Sequence, residues 1–221
     1  MNKTFVLAIS LCFAVIAAAP AFGKEKGEKI KMGKDIVLNQ IDYSKGKPFM
    51  QALKDRRSHK DFADKSLDIQ TLSELLWVAG GITREDGRLT NPTAMDCREI
   101  EIYVFVKEGV YLYNAKENVL KFVLKGDNRA AAGMQEYVAS AAVNLVYVSN
   151  LDKMKGEDLN QKMLMTAVNL GHISQSVYLY CSSAELGCVI RAYIDGPAIS
   201  KLLNLNESQK VLISQSAGYV K

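Results

Sequence analysis

Between Asp55 and Phe62 the chain reads Asp-Arg-Arg-Ser-His-Lys-Asp-Phe, which gathers Arg56, Arg57, His59 and Lys60 around one hydroxyl, Ser58. Cationic groups packed this closely repel one another, so they need either solvent on every side or an anion. Guanidinium offers a planar fork of donors suited to phosphate, Lys a movable point charge, and Ser a hydroxyl that donates and accepts. Most charge runs of this kind are solvated turns. Here the flanks favour a built anion site. Pro48 opens a short helix whose Phe49 and Leu53 lie one turn apart, and Phe62 returns to the core. These apolar residues are expected to anchor the basic turn from both sides.

The elements that must hold this turn can be read from periodicity. Asp35 to Ile41 suits a short extended segment, and Pro48 to Lys54 the helix that leads into the basic residues. Asp68 is placed to cap a second helix with a stripe of Leu72, Leu75, Leu76 and Ala79, stopped by Gly80-Gly81. Trp77 beside that stripe reads as core. A polar loop from Thr83 to Met95 precedes Glu99 to Val106, whose alternation passes into a continuous apolar run, as in a buried strand. Val110 to Tyr113 and Val119 to Leu124 flank Asn114–Asn118 as a hairpin, Asp127 caps a short helix running towards Gly133, and Val143 to Ser149 is another buried strand.

From about Gly156 to Leu186 the pattern is one long helix, with Leu159, Met163, Leu164, Ala167, Leu170, Ile173, Val177, Tyr180, Cys181 and Ala184 at steps of three and four. Its apolar girth exceeds one face, which fits the centre of a domain or a subunit interface. Gly171 in its middle costs about 1 kcal/mol against Ala, and a close helix crossing would justify it. Gly187 to Ala192 is a strand, Asp195 and Pro197 start a helix through Leu203, and Lys210 to Ser216 is the last strand. Hairpins mixed with helices, without regular strand–helix alternation, predict an α+β fold.

Residues 1–23 read as a secretory signal peptide: Lys3, an apolar run from Phe5 to Ala19, and a small-x-small site at Ala21-Phe22-Gly23. The apolar run is shorter than the roughly 20 residues that span a bilayer, so cleavage after Gly23, or after Ala21, is favoured over an anchor. The expected location is periplasmic or secreted, with no membrane attachment after cleavage. Residues 24–34 form a charged tether, and residues 35–221 one domain. The net charge of +4 is modest and dispersed, which argues against nucleic acid. Cleavage leaves Cys97, Cys181 and Cys188, an odd set that makes no disulfide framework; Cys181 and Cys188 read as small core residues. His59 and His172 have no carboxylate or Cys at ligand spacing, so no metal site is expected. Gly-x-Ser-x-Gly, Walker and Gly-x-Gly-x-x-Gly motifs are absent.

Arg56-Arg57-Ser58-His59-Lys60-Asp61-Phe62 resembles the Arg-[Arg/His]-Ser-x-[Lys/Arg]-x-[Phe/Tyr] signature of the FMN-dependent nitroreductase family. The order of further segments is also similar, from about Asp55 to Lys221. Leu75-Leu76-Trp77-Val78-Ala79-Gly80-Gly81-Ile82 resembles a segment of the branch that includes peptide azoline dehydrogenases. Pro92-Thr93-Ala94-Met95-Asp96-Cys97-Arg98 is similar to the family's Pro-Ser-[Ser/Ala]-x-Asn-x-Gln. Gly171 to Leu179 resembles part of its central helix, and Glu185-Leu186-Gly187 the exit from it.

The resemblance implies a nitroreductase-like mixed β-sheet flanked by helices, with a long central helix, assembled as a homodimer with FMN at the interface. By the same carry-over Arg56 and Lys221 address the FMN phosphate, Arg57 and Ser58 the ribityl–phosphate region, and Lys60 the pyrimidine edge. Pro92, Thr93 and Asp96 form the second flavin segment, and the backbone of Arg191 and Ala192 approaches N5 and O4. No protein side chain is a catalytic acid or nucleophile; Lys60 and Asp96 tune the flavin. Three departures stand out, Asp96 for Asn, Arg98 for Gln and Ala192 for Gly. The implied activity is hydride transfer from NAD(P)H or another reduced donor to an electron-poor acceptor such as a nitroaromatic or quinone. The alternative is an exported module on the same fold that holds flavin or another anion without turnover.

Overall fold

The computed structural model describes residues 33–221; the expected signal peptide and most of the expected tether lie outside the described residues. The elements follow the order β1 (Ile36–Val37), α1 (Phe49–Asp55), α2 (Ile69–Gly80), β2 (Ile100–Val106), β3 (Gly109–Asn114), β4 (Val119–Lys125), β5 (Val143–Asn150), α3 (Leu159–Ser183), β6 (Gly187–Arg191), α4 (Gly196–Leu202) and β7 (Gln209–Gly218). The strands form one sheet in the order β1-β4-β3-β2-β5-β7-β6. The α+β expectation holds. Where a mixed sheet was expected, every pair among the named strands is antiparallel.

Two apolar layers enclose the sheet. Helices α2 and α3 cover one face, where Leu72, Leu75, Leu76, Ile173 and Val177 pack on Ile102, Val104, Leu145 and Tyr147. On the other face Ile199 and Leu203 join Ala132 and Val138 over Tyr103, Phe105, Val146 and Val148. A central strand covered on both sides has no solvent face to alternate towards, which is why β5 is buried from Val143 through Ser149. Asp68 caps α2 as expected, its carboxylate accepting from the Thr71 N–H at 2.8 Å. The helix at 127–133 is a 3-10 turn over Arg129–Ala132 instead, and Asp127 does not cap it. The Asp127 carboxylate bonds Arg129, at both its backbone N–H and its guanidinium.

α3 begins at Leu159 because Asp158 takes the Asn160 and Gln161 N–H groups. Its inner face, including Leu170, Ile173, Val177 and Cys181, is buried, while Leu164 (66% exposed) and Val168 (51%) face outward with Gly171 between turns. Among the described residues no close crossing explains Gly171: a Cβ built there meets nothing within 4 Å.

The expected anchoring of the basic turn is half corrected. Phe62 is fully buried, which contributes about 1.5–3 kcal/mol. Phe49 and Leu53, however, are exposed on α1, whose buried residue is Ala52. α1 docks through small groups: Ser182 Oγ donates to Ala52 C=O at 2.7 Å, and Lys47 N–H donates to Ser183 Oγ at 2.7 Å. Contact this close leaves no room for large side chains, so Phe49, Met50 and Leu53 project to the other side.

Candidate functional site

After α1 the chain runs extended from Arg56 and lies along the sheet edge. The His59 N–H donates to Cys188 C=O at 2.9 Å, and the Ala63 N–H to Tyr219 C=O at 2.8 Å, while Phe62 bridges Val220. Gly187 and Gly218 make this approach possible. A Cβ on Gly187 would meet Val220, His59 and Phe62 at 2.7–3.3 Å, and one on Gly218 would meet Phe62 at 3.3 Å as well as the Ala142 backbone N at 2.9 Å.

Tyr178, inside α3, holds the basic segment from below. Its Oη accepts the Ile190 N–H at 3.0 Å and lies 2.9 Å from Ser58 Oγ. The Arg56 guanidinium sits 5.3 Å from the centre of the same ring, within range of a cation–π contact. One tyrosine therefore joins α3, β6, Ser58 and Arg56. Arg57 reaches back to Asp55 C=O at 3.4 Å. Lys221 comes alongside through its backbone N–H to Asp61 C=O, and its Nζ pairs with the Asp61 carboxylate at 3.0 Å. Among the described residues no carboxylate pairs with Arg56, Arg57 or Lys60 at ion-pair distance. Two unneutralised guanidiniums and a positioned hydroxyl, Arg56, Arg57 and Ser58, fit a phosphate, and Lys60 adds a further unpaired cation beside them.

The second segment hangs on the opposite flank of α3. Asn91 is buried and gives its amide to Val78 and Ala79 C=O at 2.7 and 3.0 Å, closing the end of α2. Ser176 Oγ donates to Asn91 Oδ1, and the Ala94 N–H donates to Asn169 Oδ1 at 2.9 Å. Asn169 in turn donates to Glu99 Oε1 at 2.9 Å; Glu99 is wholly buried and its other oxygen has no partner among the described residues. On this support Met95, Asp96 and Arg98 all adopt left-handed backbone, with φ of 53°, 54° and 50°. Such residues cost roughly 1–2 kcal/mol each relative to right-handed backbone and persist where the surroundings dictate them. A cavity of about 650 Å³ lined by Arg84, Arg88, Pro92, Thr93 and Asp96 opens beside this loop.

Two of the three departures answer one another. Arg98 Nε and Nη2 donate to the two Asp96 oxygens at 2.7 and 2.8 Å. The Arg98 guanidinium holds the Asp96 carboxyl below the usual carboxylate range. At the third, Ala192 is exposed just past β6. The side chain of Arg191 turns into the core, where it donates to Ser216 Oγ at 2.7 Å and Asn144 Oδ1 at 2.8 Å. Only its backbone remains available for the role expected of it.

Within one chain the two segments do not meet. Pro92 C=O lies 3.4 Å from His172 Nδ1, and Ala94 is held by Asn169, whereas Ser58 is held by Tyr178. At about 100° and 1.5 Å per helical residue, Asn169 and Tyr178 are separated by roughly half a circle and 13 Å. The chain carries two half-sites on opposite flanks of α3, with the exposed stripe of Leu164, Val168 and Gly171 running along the same helix. Tyr178, Asn169 and Glu99 were missed from sequence. Tyr178 and Asn169 stand near or within the helical stretch that resembles the family, but their contacts to Ser58, Ala94 and Glu99 lie 70–120 residues away in the chain.

Comparison with known proteins gives a consistent result. The model for the nitroreductase family matches residues 53–219. A protein of Methanocaldococcus jannaschii bearing the nitroreductase name is 29% identical over 169 residues, 72% of this chain and 85% of its own length. A crystal structure from Ralstonia eutropha JMP134 with the same name is 30% identical, with a TM-score of 0.81 over 88% of this chain and 93% of that one. The NADPH:FMN oxidoreductase of Vibrio harveyi, solved with NAD+, shares the fold at 20% identity. Its TM-score is 0.60, over 78% of this chain and 69% of its own.

Proposed function

Because the chain belongs to the nitroreductase family, we propose that it is an exported, FMN-dependent oxidoreductase that works as a homodimer. The observation that carries this reading is the pair of half-sites. A cationic, hydroxyl-bearing segment fit for a phosphate and a strained loop fit for a ring edge lie on opposite flanks of one helix, which also presents an apolar stripe. Packing two copies along that stripe would set the basic segment of one against the 92–98 loop of the other. Exposed Leu164, Val168, Phe49, Met50 and Leu53 would be covered in the process. The relatives' names support oxidoreductase chemistry, and the Vibrio harveyi neighbour is an FMN enzyme by name.

FMN, when bound, supplies two-electron hydride chemistry at its ring, and the chain supplies the setting. Arg56, Arg57, Ser58 and Lys221 would hold the phosphate and ribityl end. Lys60, with no carboxylate partner among the described residues, would carry positive charge to the pyrimidine edge, where it favours the electron-rich state. Pro92, Thr93 and the Asp96–Arg98 pair would border the ring from the partner chain. The donor is NAD(P)H or another reduced compound, and the acceptor an electron-poor molecule of the nitroaromatic or quinone kind.

The absorption spectrum of the purified protein with added FMN tests the reading. Bound flavin bleached by NADH or NADPH and re-oxidised by a quinone is the expected result. Bound flavin that no donor reduces supports the alternative, a binding module without turnover. Failure to bind flavin removes the enzyme and leaves, of the alternative, only a module for another anion.

A further inference from the structure

Read singly, Cys181 and Cys188 are two small core residues. The fold makes them neighbours. Cys181 sits in the last turn of α3; the chain then reverses at Glu185, whose φ is +59°, and the Leu186 N–H donates to Cys181 C=O at 2.8 Å. β6 starts at once, so Cys188 comes back beneath Cys181. Both side chains are enclosed, at 0% and 1% exposure, in one cluster with Tyr147, Val177 and Ala217.

The Cys188 sulfur stands in a polar seam of this layer. Tyr147 Oη donates to Gln215 Oε1 at 2.7 Å, and Gln215 Nε2 donates to Ser174 C=O and to Cys188 Sγ, each at 3.1 Å. The Cys188 thiol beside it, together with burial, pushes the Cys181 thiol well above its ordinary range. A thiol raised in this way is a poor nucleophile, and both sulfurs are closed off from solvent, so chemistry between them belongs to the folding chain.

We propose that Cys181 and Cys188 are a disulfide-forming pair, oxidised while the chain folds and then sealed inside the core, tying the end of α3 to β6. The step is thiol–disulfide exchange with a small-molecule disulfide such as oxidised glutathione. The thiolate of one cysteine attacks it, releasing one small thiol, and the other cysteine resolves the mixed disulfide, releasing the second. One S–S bond forms in the protein, one is broken in the reagent, and the two protons leave with the released thiols. The bond would fix the two supports of the basic segment relative to each other, since Tyr178 is on α3 and the Cys188 carbonyl receives the His59 N–H. It requires no flavin and is tested apart from it.

The purified protein is unfolded and refolded in glutathione redox buffer or in excess dithiothreitol. Free thiols are then alkylated and the chain is cleaved after glutamate. Glu185 lies between the two cysteines, so the fragment ending at Glu185 and the one beginning at Leu186 stay joined only through a disulfide. Joined fragments and an alkylated Cys97 are expected from the redox buffer, and separate fragments from dithiothreitol and from Cys188→Ala. The oxidised protein should also melt several degrees higher. Alkylated Cys181 and Cys188 after oxidative refolding, or either one paired with Cys97, overturns the proposal.

Discussion

Arg98 grips Asp96 through both carboxylate oxygens, from a position two residues along a loop where both residues adopt left-handed backbone. Each replaces a neutral amide in the segment it resembles, and together they restore neutrality. A bare carboxylate against a flavin would disfavour the charge gained on reduction; a paired one does so far less. Asp96→Asn should therefore raise the midpoint potential through the freed Arg98 cation. Arg98→Ala should lower it through the freed carboxylate, and Asp96→Asn with Arg98→Gln should fall close to the parent. Potentiometric titration of the three variants checks the pattern; shifts of one sign for both single variants would contradict the pairing.

The basic segment has two separable tasks. Arg56→Ala removes a charge-assisted contact that is present whatever the redox state. It should weaken FMN binding by about 1.5–3 kcal/mol, roughly 10- to 150-fold, with the potential nearly unchanged. Lys60→Ala should instead lower the potential and slow flavin reduction, and Lys60→Arg should recover part of the loss. Flavin fluorescence titration and potentiometry on all three decide the matter. Equal, small effects at both positions would leave the segment with no flavin role.

Tyr178→Phe keeps the ring beneath Arg56 but deletes the oxygen that accepts the Ile190 N–H and meets Ser58. A part-buried donor left without a partner costs about 1–3 kcal/mol. Thermal unfolding should show that loss of stability, and FMN affinity should fall with it. Unchanged values for both would mean that water takes over the Tyr178 oxygen's place.

Acid should weaken the fold through Asp127. The Arg129 guanidinium holds its carboxyl below the usual value of 3.8. A carboxylate with a depressed pKa contributes stability that is complete above the unfolded value and lost as pH falls through the folded one. Melting temperature measured from pH 6 down to pH 3 should therefore drop below about pH 4. Asp127→Asn should start lower at pH 6 and show a shallower acid limb. A parallel slope in the variant would assign the acid sensitivity to other carboxylates.

Much of the scaffold was legible because it obeys local rules. The stripe from Leu72 to Ala79, the Asp68 cap and the burial of Phe62 follow from spacing and side-chain chemistry alone. Phe49 and Leu53 misled because an apolar pair one turn apart says that a face is apolar, without saying which body covers it. The Asp96–Arg98 pair escaped because each departure was weighed singly. Glu99, Asn169 and Ala94 form a relay between a strand end, a helix and a loop, and nothing in the chain near any one of them marks the other two. Gly171 suggested a close helix crossing, yet among the described residues nothing lies within 4 Å of a Cβ placed there.

The placement of Asn169 and Tyr178 on opposite flanks of α3 has a genetic consequence. If each site is completed across the dimer, a chain crippled in the basic segment, such as Arg56→Ala, and one crippled in the loop support, such as Asn169→Ala, fail at different halves. Mixed in one population, they form heterodimers in which one site carries both defects and the other carries neither. Two inactive alleles should then complement each other, restoring activity to about a quarter of the parental level when subunits assort at random. A site built within each chain would give no such rescue.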